Sequence, residues 1–438
     1  MAETLISGSL GINSLGHLTI GGADAVSLAD KYGTPLYVMD ENIIRDRMRL
    51  YNKALADFAP NGGGILFASK ACCFRRMYEL AKEENLYGAD AVSPGEIMTA
   101  RAAGYPMEKL YFHGNNKTDR DLILAMELGV GTIVADSREE LEAISSLRRK
   151  LGMTTPQHIL IRITPGVDPH THQKITTGTV DSKFGTPIST GAAYDIVKYA
   201  LGLPGITLDG FHCHIGSQIF ESTPFINAAE IMTDFIAEVK SRFGYEIEKL
   251  DIGGGFGVRY THADPVFDYR KGVEDVCRAI TERCALHGIK VPVIALEPGR
   301  SIVADSGITL YTVGSVKHIE GFRSYVSIDG GMTDNPRYAL YQSRYEILRA
   351  DKAGEEKTLV CTLAGRCCES GDLIGENLSV QPVSRGDIIA VLVTGAYNYS
   401  MASNYNRLPR PAVVMIRDGE PYVAVRRESY DDLLRLDV

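Results

Sequence analysis

The 438-residue sequence lacks the features that mark several large classes of protein. It has no apolar run of the roughly 18 residues that a membrane-spanning helix needs. Its net charge is -9, which argues against a nucleic-acid-binding protein because such proteins normally carry a basic patch or stripe. The opening MAETLISGSL has neither the basic start nor the apolar stretch of a secretory signal. We therefore expect a cytoplasmic protein that binds neither membrane nor nucleic acid.

Cysteines are present, but not in the spacings typical of metal or redox sites. No C-x-x-C pair occurs, so neither a zinc ribbon nor a thioredoxin-type site is predicted. In a long chain without a secretory signal, free thiols are more common than disulfides. We expect most of the cysteines to be buried apolar residues. They are Cys72, Cys73, Cys213, Cys277, Cys284, Cys361, Cys367 and Cys368.

The length suits two domains, and the first shows a regular alternation of elements. From about residue 64 to residue 300, short apolar strands alternate with stretches such as REELEAISSLRRKL, whose apolar residues recur at helical spacing. Eight such strands predict an α/β fold with parallel strands, and eight is the number that closes a (β/α)8 barrel of the TIM type. A doubly wound open sheet would show the same alternation.

The placement of the reactive side chains favours the barrel. Strand interiors are apolar, whereas reactive residues lie at or near the carboxyl ends of the predicted strands, which form the active-site rim of a β/α barrel. These residues are Lys70, Asp90, His113, Asp136, Arg162, His214, Ser217, Glu297 and Arg300.

After about residue 305 the sequence consists of β-rich runs separated by turn residues. This pattern predicts a mainly β domain, sandwich-like or barrel-like, over residues 306–438, after a barrel domain over 41–305. The N-terminal segment, residues 1–40, is expected to pack with the β domain. In that interpretation HLTIGG pairs with the β domain before TPLYVMD leads into the barrel.

Two side chains at the barrel rim have chemistry suited to a carbonyl cofactor. A lysine that ends an apolar strand, as Lys70 does, is a candidate for Schiff-base formation because burial lowers its pKa. Glu297, in LEPGR, could hold a pyridine nitrogen protonated and so make the ring an electron sink. Arg300, three residues later, offers a planar fork suited to a carboxylate. Taken alone, Lys70 could instead reach solvent, and Glu297 and Arg300 could form an ion pair.

Two further motifs at this rim fit a phosphorylated, flat ligand. Gly253, Gly254 and Gly255 in DIGGGFG end the seventh strand, where backbone N–H groups can converge on a phosphate, although a tight turn is the ordinary interpretation. In HCHIGSQ, His214 could present its ring to a flat ligand, and Ser217 offers a hydroxyl group. We expect the other histidine of that motif to be structural, and we predict no metal site.

The β domain contains two clusters of polar residues. CCESGD joins a thiol to a carboxylate and could place a proton donor beside a group for a substrate amine. GAYNYSMASNYN is rich in aromatic and amide side chains. A buried cysteine and a polar loop are the alternative interpretations.

Together these motifs resemble those of the diaminopimelate decarboxylases, which are fold type III pyridoxal-phosphate enzymes related to alanine racemase. The resemblance spans nearly the whole chain. It rests on TPLYVMDE, FASKA, DAVSPGE, the THQKITTGTVDSKFG loop, HCHIGSQ, DIGGGFG, EPGRSIVA, CCESGD and GAYNYSMASNYN.

The resemblance implies a role for each matching residue. Lys70 would carry pyridoxal 5'-phosphate as a Schiff base, His214 would stack on its ring and Glu297 would pair with its pyridine nitrogen. The other implied cofactor contacts are Asp90, Ser217, Gly253, Gly254, Gly255 and Tyr397. The implied substrate contacts are Arg300, Arg337, Tyr341, Glu369 and Tyr397. Cys368 would reach the active site of the other subunit of a homodimer as a catalytic residue, with Lys70 and His214, and His172 would close over the substrate.

The reaction implied is decarboxylation of meso-diaminopimelate to lysine, the last step of lysine biosynthesis. The segment DGGMTDNPRYALY departs from the family pattern at Asn335-Pro336, which weakens the assignment of Arg337. Alternatives are a decarboxylase of the same fold acting on ornithine, lysine, arginine or carboxynorspermidine, and a non-catalytic pyridoxal-phosphate-binding protein.

Overall fold

The computed structural model describes residues 5–168 and 181–438. The chain forms two compact units. The barrel unit comprises Arg47–Gly257 and Val266–Gly299, and the β unit comprises Met1–Asp46, Val258–Pro265 and Arg300–Val438.

The N-terminal segment forms a small sheet of its own. Strands β1 (Leu10–Ile12), β2 (Leu18–Ile20) and β3 (Ala23–Asp24) pair antiparallel, and helix α1 (Ala25–Tyr32) and strand β4 (Leu36–Asp40) follow. The predicted pairing of HLTIGG with the later strands is therefore wrong, because β2 pairs with β1 and β3.

Parallel strands form a closed barrel. β5 pairs with β6, the pairing continues around to β13, and β13 pairs with β5. The predicted eight-stranded barrel is thus confirmed, with the two-residue β10 as an extra strand beside β9. The strands are β5 (Gly63–Ala68), β6 (Gly88–Ala91), β7 (Leu110–Phe112), β8 (Thr132–Ala135), β9 (Gln157–Thr164), β10 (Thr186–Pro187), β11 (Ile206–His212), β12 (Lys249–Asp251) and β13 (Val293–Leu296).

Polar caps begin several of the helices that follow the barrel strands. Ser93 and Ser137 accept backbone N–H groups of their first turns, and Thr118 forms a reciprocal capping box with Asp121. Such caps satisfy N–H groups that have no partner inside the helix. The helices are α2 (Glu41–Phe58), α3 (Arg75–Glu83), α4 (Pro94–Ala102), α5 (Asp119–Glu127), α6 (Arg138–Lys150), α7 (Ala192–Leu201), α8 (Thr223–Phe243) and α9 (Tyr269–His287).

Large side chains fill part of the barrel interior. Leu66, Tyr111, Val134 and Leu160, from four different strands, form one buried cluster against which Tyr87 packs. A barrel centre packed in this way is not a pore, so the polar side chains at the strand ends are the ones available for chemistry.

The β unit is built on one long mixed sheet. Its order is β18-β17-β15-β14-β4-β20-β21, and β19 pairs with both β14 and β16. The elements are α10 (Arg300–Val303), β14 (Gly307–Ile319), β15 (Arg323–Ile328), α11 (Arg337–Tyr341), β16 (Ile347–Arg349), β17 (Leu359–Ala364), β18 (Leu373–Val380), β19 (Ile388–Val391), β20 (Ala412–Arg417), β21 (Glu420–Val425) and α12 (Tyr430–Leu434). The expectation of a mainly β second domain is confirmed.

Strand β4 lies inside this sheet although it precedes the barrel in sequence. It pairs antiparallel with β14 and parallel with β20, and all five of its residues are buried. A strand covered on both faces has a continuous apolar pattern, so its sequence does not show which partners it will take. In the part of the chain that the structure describes, no helix has the length and apolar character needed to cross a membrane.

Candidate active site

The barrel unit carries its predicted cofactor residues at the carboxyl ends of its strands. Because parallel strands of a barrel end on one rim, these side chains share one face. Lys70 lies in a 3-10 turn after β5, Asp90 in β6, His214 and Ser217 after β11, Gly253, Gly254 and Gly255 after β12, and Glu297 directly after β13.

The turn that carries Lys70 is held by two acidic residues. The Ser69 backbone N–H donates to Asp90 Oδ1 at 2.7 Å, and the Ser69 hydroxyl donates to Glu96 Oε2 at 3.2 Å. Burial raises the pKa of Asp90 well above its usual value, nearby Glu297 raises it further, and Lys70 opposes both effects. Asp90 therefore acts here as a buried acceptor that fixes the backbone next to Lys70.

Two histidines hold the carboxylate of Glu297. Nε2 of His113 lies 2.9 Å from Glu297 Oε1, and Nε2 of His212 lies 3.3 Å from Oε2. All three side chains are buried, and the two rings meet edge to face with centroids 4.9 Å apart. Their nitrogen and oxygen atoms lie within 4.8 Å of one another.

Burial and neighbouring charges shift the pKa values of Glu297 and of two nearby residues in different directions. Burial favours a raised pKa for Glu297, but His113 and His212 outweigh it and hold the pKa well below its usual value. For Asp251, burial raises the pKa well above its usual value, and nearby Glu297 raises it further. Burial also lowers the pKa of His214, and Lys70 and Arg162 add to this effect. The rim therefore combines an ionised Glu297 with a neutral His214 ring.

The glycine run after β12 packs directly against neighbouring backbone. A Cβ added at Gly254 would lie 2.0 Å from the Glu297 carbonyl oxygen, and one at Gly255 would lie 2.3 Å from that of Gly216. Gly253 adopts a φ of +72°, and its N–H donates to Asp251 Oδ1 at 2.8 Å. Glycine is thus required here, and the run leaves a backbone surface that side chains do not cover.

The β unit contains a separate cluster of two arginines and three tyrosines. Arg300 donates to the Tyr260 hydroxyl at 2.8 Å, and Arg337 donates to the Tyr345 hydroxyl at 2.9 Å. The Arg300 guanidinium lies 4.7 Å from the Tyr397 ring centroid, and the Arg337 guanidinium lies 4.7 Å from that of Tyr260. Both arginines are buried, so two like charges share one small region.

This cluster has the electrostatics of an anion site. Burial favours a raised pKa for Tyr260, but Arg300 and Arg337 outweigh it and lower the pKa. Within residues 5–168 and 181–438, no carboxylate oxygen lies within 4.0 Å of the Arg337 guanidinium. A buried guanidinium is costly unless it is paired, so a bound anion would stabilise this arrangement.

The remaining predicted residues lie elsewhere in the β unit. Tyr341 ends α11, the short helix that Arg337 begins. Cys368 and Glu369 are exposed in the turn after β17, where the Cys368 backbone N–H donates to Asn406 Oδ1 at 2.8 Å. His172 falls within 169–180, outside the described residues.

Sequence reasoning missed several of the residues that shape these clusters. His212 was expected only to be structural, and the roles of Asp251, Tyr260 and Tyr345 were not anticipated. Tyr260 lies five residues after the glycine run, in a segment that joins the β unit, and no motif marks it. For His212, the available signal was its position: it ends β11, and the neighbouring strand β12 ends in the acid Asp251.

Comparisons with known proteins agree on one family. Residues 41–304 match the family model described as pyridoxal-dependent decarboxylase, pyridoxal binding domain. The diaminopimelate decarboxylase of Bacillus subtilis (strain 168) is 46% identical over 426 residues, which cover 97% of this chain and 96% of the relative.

Solved structures give the same answer. The diaminopimelate decarboxylase of M. jannaschii in complex with L-lysine superposes with a TM-score of 0.90 at 34% identity, covering 99% of both chains. The Helicobacter pylori diaminopimelate decarboxylase, also complexed with L-lysine, has a TM-score of 0.84 at 30% identity, covering 94% of this chain and 99% of that one. The chain therefore belongs to the diaminopimelate decarboxylase family of pyridoxal-dependent decarboxylases.

Proposed function

We propose that the protein removes CO2 from the D centre of meso-diaminopimelate and releases L-lysine, using pyridoxal 5'-phosphate. The observation that carries the choice of substrate is the buried pair Arg300 and Arg337, which have tyrosine partners in the β unit. Diaminopimelate keeps a second carboxylate throughout the reaction, and a guanidinium pair suits it. The L-lysine in two related structures is the product of this reaction.

The residues of the barrel rim fit the cofactor. Lys70 would bind its carbonyl carbon, and Gly253, Gly254, Gly255 and Ser217 would hold its phosphate, with the tight backbone packing of the glycines as the supporting observation. His214, kept neutral by burial, would stack on the ring, and Glu297 would accept a hydrogen bond from the ring nitrogen. Asp90 and Tyr397 are the further proposed contacts. When bound, the cofactor supplies a protonated ring that accepts the electron pair left by the departing CO2.

The chain's own residues supply binding and proton transfer. Arg300, Arg337 and Tyr341 hold the carboxylate that is retained, and Glu369 pairs with the amine at the same centre. A proton is then delivered to the carbon that lost CO2, by Lys70 or by Cys368 of the partner subunit. Cys368 and Glu369 are exposed in one protomer, which supports their use by the active site of a second protomer. We therefore propose a homodimer whose active sites are shared across the interface. We also propose that the protein is cytoplasmic.

The function is tested by supplying purified protein with pyridoxal phosphate and meso-diaminopimelate and measuring lysine and CO2. Ornithine, arginine and lysine are run in parallel as substrates. We expect lysine and CO2 in equal amounts from diaminopimelate and negligible turnover of the other three. Turnover of ornithine but not diaminopimelate would contradict the assigned substrate while leaving the reaction class in place.

Replacing Gly254 with alanine is expected to weaken cofactor binding by about 10-fold or more. Overpacking strain of about 1–3 kcal/mol would displace the Gly253–Gly255 backbone that is proposed to hold the phosphate. Equilibrium dialysis with absorbance of the bound cofactor measures this. Gly95→Ala is the matched control, since the nearest atom to its new Cβ is Ser93 Oγ at 3.7 Å. Equal affinity in both variants would remove the glycine run from the phosphate site.

Replacing Arg337 with methionine is expected to lower kcat/KM for diaminopimelate by about 100-fold, the scale of losing a buried charge-assisted contact. Bound-cofactor absorbance should stay unchanged, because Arg337 contacts Tyr345 and Tyr260, and neither tyrosine is a proposed cofactor contact. Arg385→Met, at an exposed turn, is the control and should leave kcat/KM unaltered. Wild-type kinetics in Arg337→Met would exclude this arginine from substrate binding.

A further inference from the structure

The carboxylate of Glu297 is reached from both sides of the barrel. His113 follows β7 and His212 ends β11, and these strands lie on opposite sides of β13, which Glu297 follows. Each histidine faces a different oxygen, His113 at 2.9 Å and His212 at 3.3 Å. His212 forms a hydrogen bond with Oε2, whereas His113 Nε2 lies close to Oε1 but outside hydrogen-bond alignment. Both carboxylate oxygens are thus in contact with side chains from distant strands.

The hydrogen-bond geometry of His212 also indicates which of its ring nitrogens carries a proton. Its Nδ1 is buried and has no hydrogen-bond partner among the described residues, whereas its Nε2 faces Glu297. A charged ring would bury an unpaired N–H, but a neutral ring with the proton on Nε2 needs no donor at Nδ1. Burial accordingly lowers the pKa of His212 to about 4, although Glu297 opposes the effect. His212 is therefore a neutral donor to Glu297.

The contacts with His113 and His212 distinguish Glu297 from the acids near it. Asp90 and Asp251 lie near it, and burial followed by the charge of Glu297 raises the pKa of each. Within residues 5–168 and 181–438, neither acid forms a hydrogen bond or ion pair with His113 or His212, whereas Glu297 lies within 3.3 Å of both histidines. The hydrogen bond from His212 and the close approach of His113 favour the ionised form of Glu297. A carboxylate oxygen has more than one lone pair, so Glu297 can accept a further donor.

We propose that His113 and His212 are positioning residues that keep Glu297 ionised and aimed at the ring nitrogen of the cofactor. This inference rests on the proposed function, because it takes the barrel rim to hold pyridoxal phosphate. Neither histidine would touch the reacting atoms. Their effect on catalysis would pass through the protonation of the ring nitrogen, which is what makes the ring an electron sink.

Matched amide variants separate this role from simple packing. His212→Gln and His113→Gln place an amide N–H near the position of Nε2, whereas His212→Asn and His113→Asn carry the same amide but fall short of Glu297. The holoenzymes are reconstituted with cofactor labelled with 15N at the ring nitrogen, and its NMR chemical shift reports whether that nitrogen is protonated. Cofactor affinity, kcat and KM for diaminopimelate are measured alongside.

We expect both Gln variants to keep the protonated-ring signal and a kcat within about threefold of wild type. The Asn variants should lose that signal, and their kcat should fall about 10–100-fold with nearly unchanged KM, as for outer-shell partners of metal ligands. A protonated ring and wild-type kcat in the Asn variants would overturn the proposal. Equal losses in Gln and Asn variants would also overturn it, because they would indicate packing.

Two further outcomes keep this proposal separate from the proposed function. If wild type does not decarboxylate diaminopimelate but the NMR pattern holds, the substrate assignment fails and the positioning role stands. If wild type is active and the Asn variants match it, the positioning role fails alone. His113 and His212 are tested separately. If the variants of one histidine do not fold, the variants of the other still test the proposal.

Discussion

Replacing Lys70 with alanine is expected to lower kcat for diaminopimelate by at least about 10³-fold, the scale of losing a group that acts both as nucleophile and in proton transfer. Lys70 follows β5 at the barrel rim in a turn fixed by Asp90, so the variant should lose the amine without moving the backbone. Borohydride reduction should attach the cofactor to wild type but not to the variant, as mass spectrometry of the intact chain would show.

A surface lysine provides the control for this prediction. Lys53 is largely exposed and lies 3.8 Å from Asp57, an arrangement that contributes little to stability. Lys53→Ala should retain full activity and a reducible cofactor linkage. Covalent attachment of the cofactor in Lys70→Ala would show that another amine forms the linkage and would overturn the assignment of Lys70.

Mixing two inactive variants is expected to restore activity if Cys368 serves the partner subunit's site. Cys368→Ala alone should keep the bound-cofactor absorbance and lose about 10²–10⁴-fold in kcat, the scale of a positioned proton donor. In a heterodimer with Lys70→Ala, one of the two sites receives both intact residues. The heterodimer, once separated from both homodimers, should then show about half of the wild-type activity.

Subunit exchange is achieved by coexpressing the two variants with different affinity tags and purifying the heterodimer through both. The matched control is Cys367→Ala, which removes the neighbouring thiol; that thiol is buried, whereas Cys368 is exposed. Cys367→Ala should stay active as a homodimer. An inactive heterodimer would show that Lys70 and Cys368 act in the same subunit, and a fully active Cys368→Ala would remove the thiol from the reaction.

Much of the barrel site could be predicted because its residues sit in short, local patterns. FASKA places Lys70 just after an apolar strand, and LEPGR places Glu297 in the same way. Once eight such strands are counted, closure of the barrel brings their carboxyl ends to one rim without further information. The glycine run was similarly predictable from its place at a strand end, and the structure supplies the physical reason, since a Cβ at Gly254 would lie 2.0 Å from a backbone oxygen.

Other features depended on contacts between segments far apart in sequence. Four of the five residues of strand β4 are apolar, a pattern that fits any buried strand, and its partners β14 and β20 lie hundreds of residues later. Tyr260 contacts Arg300 and Arg337, but no motif in its local sequence predicts these contacts.

The sequence by itself determined the barrel, the mainly β second domain and the positions of Lys70, His214, Glu297 and the glycine run. These follow from local periodicity and from the common direction of parallel strands, which are properties of short segments. Only the tertiary structure decided how burial and neighbouring charges shift the pKa values of the rim acids, and which tyrosines Arg300 and Arg337 contact. Those properties arise from burial and from the charges of neighbouring strands, as the contacts of His113 and His212 with Glu297 show. Burial and neighbouring charge exist only after the chain has folded.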